Sequence, residues 1–138
     1  MYVGLPFDIF AFTMLQELLA RDLGVELGRY IHTVGSLHLY NENRKDTEEF
    51  LAEGWQSTDS PMPPMPEGSQ WANVAALLKA EEHLRSGADI EKTAMPTDPY
   101  WEDLARVLAH RRAISDGNEA VASSVSAGFH HPVFADFA

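Results

Sequence analysis

The sequence predicts an α+β fold, and three observations carry that reading. A dense apolar run follows Gly4-Leu5-Pro6. Apolar and polar residues then alternate with a period of two from Arg29 to Tyr40. Two helical patterns come last, beyond a Pro/Met-rich stretch. The expected order is a buried helix, a long strand, and two or three amphipathic helices. The 138 residues, 45% of them hydrophobic and 22% charged, suit one globular body of typical size, about 100–150 residues. Such a chain buries a core without metals or disulfides.

The first helix is expected just after Gly4-Leu5-Pro6, with Asp8 as an N-cap candidate, because a short acceptor there bonds a free backbone N–H. Ile9, Phe10, Phe12, Met14, Leu15, Leu18, Leu19 and Leu23 recur too densely for one narrow stripe. A helix apolar on most sides reads as buried. Gly24 is well placed to end it. In the long strand, Tyr30, His32, Val34, Ser36, His38 and Tyr40 fall on one face. Ile31, Thr33, Gly35, Leu37 and Leu39 fall on the other, which reads as the core side. Gly35 suits a bulge or a close backbone approach.

Arg44 to Trp55 reads as a short helix with Phe50, Leu51 and Trp55 inward. Ser60 to Pro66 has too many prolines for helix or central strand and reads as an extended connector. Ser69 is a cap candidate for a helix to about Arg85, with Trp71, Val74, Leu77, Leu78 and Leu84 inward and Ser86-Gly87 as the stop. Thr97-Asp98-Pro99 is a strong helix start. Tyr100, Trp101, Leu104, Val107 and Leu108 make its stripe, and His110, Arg111 and Arg112 suit its last turn. From Ser115 to Phe129 the text is small and polar. The tail beyond is expected to be loose or locally docked. The expected organisation is a core segment over 1–57, a linker over 58–68 and a helical extension over 69–138.

Charge and composition exclude several classes. Ten Lys+Arg against 21 Asp+Glu give a formal net charge of -11. Such a chain repels phosphate backbones and anionic membranes, so neither nucleic acid nor membrane is an expected partner. No apolar run approaches the roughly 18 residues of a spanning helix. Met1-Tyr2-Val3-Gly4 lacks the basic start of a signal peptide, which makes the cytoplasm the expected location. There is no Cys, so the chain supplies no disulfide, thiolate zinc site or Cys nucleophile.

The strand face admits three readings. It is the polar, solvent-facing side of an edge strand, or the wall of a small-molecule pocket in which His and Tyr orient a ligand's hydroxyls, or a metal site. The metal reading is the weakest. His32 and His38 lie roughly 20 Å apart along an extended strand, and no third ligand has a characteristic spacing.

Two blocks together resemble the thymidylate synthase superfamily: Gly4-Leu5-Pro6-Phe7-Asp8-Ile9, then Ile31-His32-Thr33-Val34-Gly35-Ser36-Leu37-His38-Leu39-Tyr40. The family pattern is G-x-P-F-N, a buried helix, a G-D near the next strand, and H-x-Y. The resemblance spans about the first forty residues. It implies that Asp8 stands where the family's Asn reads the pyrimidine edge, and that His38 and Tyr40 stand where its His and Tyr hold the sugar hydroxyl. Ser36 stands at the Asp of G-D. It also implies an α/β sheet, a dimer and methylenetetrahydrofolate as cofactor. A carboxylate at position 8 accepts from a cytosine amino group, as in the pyrimidine hydroxymethylase branch; the competing role of Asp8 is helix capping alone.

The resemblance places the family's nucleophilic Cys, phosphate-binding Arg residues and R-S-x-D segment upstream of these blocks. Attack on pyrimidine C6 needs a thiolate, so this polypeptide alone is expected to be inactive. Three functions compete. One is the C-terminal portion of a one-carbon transferase acting at C5 of a pyrimidine nucleotide, without a catalytic residue of its own. Another is a non-catalytic nucleotide-binding or oligomerisation module. The third is a helical interaction domain whose first forty residues only mimic the family. Self-association, as a homodimer or larger species, is expected because a segment of this kind exposes apolar surface.

Overall fold

The computed structural model describes residues 4–54 and 61–135. Met1 to Val3, Trp55 at the end of the expected short helix, the linker residues 58–60 and the last three tail residues lie outside the described residues. The chain divides into two units, Met1–Ser60 and Pro61–Ala138.

In the first unit, α1 spans Leu5–Leu23, about 28 Å at the usual helical rise. Pro6 sits in its first turn, where a missing N–H costs nothing. Gly4 is the N-cap, and Asp8 N donates to Gly4 O at 3.0 Å. Asp8 is therefore an acidic residue inside the first turn, not the cap. Gly24 ends the helix with φ 65°. That left-handed turn lets Val25 N reach Ala20 O at 3.0 Å, a glycine C-terminal closure. The Gln16 amide then holds the returning chain by donating to Gly28 O at 3.1 Å.

Two larger expectations also fail in this unit. The first is the strand, and with it the α+β class: among the described residues the fold is all helical, with no strand. Residues 29–40 have the alternation of a strand but no ladder partner. Extended backbone pairs its N–H and C=O groups only across to a neighbour, so pattern alone does not make a sheet. The second is the buried helix. Only Ala20 of α1 is buried, while Phe7 is 71% and Leu23 72% exposed. Burial needs a facing layer, and these residues have none.

A 3-10 turn, Asn41–Asn43, leads into α2, Arg44–Ala52. Thr47 is its buried residue and donates to Asn43 O at 2.8 Å. Phe50 and Leu51, expected inward, are both exposed.

The second unit is a helical assembly centred on α4. Residues 61–70 form neither helix nor strand, and Met65 is buried among them. Helix α3 spans Trp71–Arg85 with Gln70, not Ser69, as its N-cap. Its buried face is Ala80 and Leu84; Trp71 and Leu78 face solvent. Ser86 and Gly87 stop it. Helix α4, Pro99–Ser115, starts as its text predicts, with the Asp98 carboxylate accepting from Tyr100 N at 3.0 Å.

The buried face of α4 runs through Trp101, Ala105, Ala109 and Ala113. It is built on methyl groups rather than on Val107 and Leu108, which are exposed. Small side chains at four-residue spacing let two neighbours approach at once. Ala109 packs with Leu84 of α3 and with Val125 of α5, Glu119–Ser126. Helix α5 lies in the stretch read as small and polar. Gly117, at φ 70°, turns the chain out of α4, and the Asn118 side chain caps α5 by accepting from Val121 N at 3.2 Å.

Gln70 ties the connector to this core. Its amide donates to the carbonyls of Pro66, Glu67 and Gly68, and its carbonyl accepts from the indole of Trp101 at 2.8 Å. Both side chains are buried, Trp101 to 2% exposure. A Gln70→Leu change strands the indole N–H, at roughly 1–3 kcal/mol. Urea unfolding followed by tryptophan fluorescence shows the loss as a lower midpoint.

Candidate functional site

The four residues singled out in the sequence all lie in the first unit and all are exposed. Asp8 sits in the first turn of α1, where a carboxylate suits the positive helix end. Ser36, His38 and Tyr40 lie in the segment after α1. The structure brings two of them together: the His38 and Tyr40 rings meet edge to face, centroids 4.9 Å apart. Tyr30 and His32 also meet, with their rings tilted by 47° at 5.9 Å and Tyr30 Oη 2.7 Å from His32 Nδ1. Both are i, i+2 pairs, so this stretch keeps the same-side spacing of extended chain without a sheet. Two aromatic edges and a hydroxyl can stack on and hydrogen-bond a small ring, but as exposed groups they offer little exclusion of water.

A buried cluster of titratable groups lies elsewhere, and sequence reasoning did not find it. Asp103 of α4 is 1% exposed. Its two oxygens accept from the backbone N–H groups of His130 and His131, each at 2.9 Å. These donors immediately precede the short helix α6, Pro132–Ala135, so a carboxylate from α4 does the work of an N-cap. Next to it, Glu102 accepts from Arg106 at 2.5 Å and faces His130 Nε2 at 2.9 Å. Gly128 lies so close to the Arg106 guanidinium that a Cβ there would collide with it. The tail from 129 to 135 is thus docked, with the Phe129 and Phe134 rings stacked at 5.8 Å. The signal in the text was an acidic residue two positions from a buried Trp, inside an apolar stripe.

Burial pushes the Glu102 carboxyl upward, but the hydrogen bonds from His130 and Arg106, with their charges, outweigh it and hold it below the usual 4.5. A lowered carboxylate stabilises the fold at pH values above its unfolded range, and that contribution disappears as pH falls through the folded value. The docked tail is therefore expected to loosen below about pH 4.5. Amide exchange at His130 and His131 reports it, and Glu102→Gln removes that acid-dependent step.

Among the described residues, no group of three or more His, Asp and Glu is arranged to hold a metal ion. No helix of these residues is long and apolar enough to cross a membrane.

Comparison with known proteins finds a partial likeness, confined to the first half of the chain. The family model for thymidylate synthase matches residues 1–66. The thymidylate synthase of Listeria monocytogenes serotype 4a (strain HCC23) is 41% identical over 51 residues, which is 37% of this chain and 16% of that protein. The thymidylate synthase of Listeria innocua serovar 6a (strain ATCC BAA-680 / CLIP 11262) is 39% identical over the same length, with the same shares. The chain spans about one sixth of the length of these curated relatives. No solved structure matches it. The resemblance is therefore local: it ends at residue 66, within the connector that opens the second unit and before α3.

Proposed function

We propose that the chain is a non-catalytic oligomerisation module whose first unit is completed by another polypeptide. The observation that supports this is the exposed apolar side of α1 and of the segment after it. Phe7, Phe10, Leu15, Leu19 and Leu23 stand in solvent on α1, and Ile31 beyond it is 77% exposed. Exposed apolar side chains in that number mark an interaction site. Hydrophobic burial is the dominant driving force of association. The match to residues 1–66 supports reading this unit as the later portion of a thymidylate-synthase-like chain, separated from the surfaces it would pack on.

One-carbon transfer by this chain is set aside. It needs a thiolate, and the sequence has no Cys. It also needs the family's sheet, and the described residues form none. Methylenetetrahydrofolate belongs in this reading only to a full-length enzyme, since this chain has no Cys to activate a pyrimidine toward the carbon.

Static light scattering of the chain at tens of micromolar tests the proposal. A homodimer or larger species is expected. Replacing Leu15 and Leu19 together by Glu is expected to shift it toward monomer, since these side chains are exposed and the helix tolerates Glu. A clean monomer for the unaltered chain contradicts the proposal.

A second reading keeps nucleotide binding without catalysis. Its support is the His38–Tyr40 pair, in the stretch where the family model matches. In this reading Asp8 faces the base, His38 and Tyr40 face the sugar hydroxyl, and Ser36 is a further contact to the nucleotide. Calorimetric titration with CMP, dCMP and dUMP is expected to give heat with the cytosine nucleotides, reduced by Tyr40→Ala. No heat with any of the three ends this reading and leaves association alone.

A further inference from the structure

A groove of about 270 Å³ opens between α3 and α4, near the C-terminal end of each. Its floor is Leu84 and Leu108, and Arg85, Arg111 and Arg112 stand around it with Glu81 and Ser115. Three of the six lysines and arginines beyond residue 60 line this one hollow, in a chain of net charge -11. Arg112 is engaged: it donates to Leu84 O and pairs with Asp116 at 2.6 Å. Arg85 pairs with Glu81 at 2.9 Å but is largely exposed. Arg111 is exposed and has no ion-pair partner among the described residues. An apolar floor with a cationic rim suits an apolar anchor carried between carboxylates.

The chain itself carries such an anchor. On α2 and its C-cap, Asp46, Phe50 and Glu53 recur at four- and three-residue spacing and so share a side. Phe50 is exposed, and Leu51 beside it is 69% exposed. Phe50 is the one aromatic of α2, and acids flank it on that side.

We infer that the groove between α3 and α4 receives α2 of a second copy of the chain. Phe50 enters over Leu108, where its ring also meets arginine guanidinium groups favourably, and Asp46 and Glu53 face the Arg85 and Arg111 rim. The contact is electrostatic at its edge and apolar at its centre. It uses different residues from the apolar side of α1, and it does not rest on the oligomerisation reading given above.

Salt separates the two contacts. Ion pairs at an exposed rim weaken with ionic strength, whereas apolar burial does not. The test is sedimentation velocity of the full chain over a concentration series, at low and at high salt, in the Leu15→Glu/Leu19→Glu background. Residual, salt-sensitive association is expected there. Arg111→Glu or Asp46→Arg is expected to weaken it by about tenfold or more, because like charges then face each other. An equimolar mixture of the Arg111→Glu and Asp46→Arg chains is expected to associate more tightly than either alone. Phe50→Ser is expected to abolish the contact, with helix content by circular dichroism unchanged.

Loss of all association in the double-Glu background overturns this inference and leaves the α1 reading standing. Association that ignores both charge changes, or a salt effect that does not vary with concentration, also overturns it. If the double-Glu change leaves association intact while Arg111→Glu removes it, the α1 reading fails and the groove contact stands.

Discussion

Apolar surface stays out of water only where something faces it, and that constraint governs the first unit. Its helix has good local reasons to exist: a proline in the first turn, strong helix formers through the middle, and a left-handed glycine at the end. None of these buries a side chain. With Ala20 and Thr47 the buried residues among those described in this unit, Phe7, Leu15 and Ile31 keep their hydrophobic free energy in reserve, available to a partner surface. The second unit solves the same problem internally. Three helices share one seam of alanines, and a buried glutamine and a buried aspartate tie the connector and the tail onto it.

Those two polar groups show how the seam is specified. Burying Gln70 and Asp103 would be costly if they were unpaired, so each is placed where several backbone or indole groups converge. Gln70 gathers three carbonyls and the Trp101 N–H. Asp103 gathers two backbone N–H groups from the tail. The carbonyls and N–H groups they engage belong to segments without regular structure of their own, which would otherwise need water.

What was legible in the text was the punctuation. Gly24, Ser86-Gly87 and Asp98-Pro99 mark helix ends because each meets a backbone requirement that does not depend on tertiary context. The seam of α4 was not legible, because large side chains draw the eye, while a helix between two neighbours buries its small ones. Val107 and Leu108 point outward as a result. Helix α5 was hidden by serines and alanines whose pattern, Ala122 and Val125, is only two residues wide. The strand reading failed for a different reason. Alternation over Arg29 to Tyr40 is real and survives as the Tyr30–His32 and His38–Tyr40 pairs, but a ladder is a property of two segments. Of the candidate site, the text located His38 beside Tyr40, and it passed over Asp103 and the arginine-rimmed groove.

The central claim is that the apolar side of α1 is an interface. Amide hydrogen exchange of the unaltered chain, read at a dilute and at a concentrated condition, tests it most directly. The account predicts that exchange in α1 slows as concentration rises, while the amides of α4 around Ala105 and Ala109 keep the same protection. Equal exchange of α1 at both concentrations, with the chain otherwise folded, contradicts it.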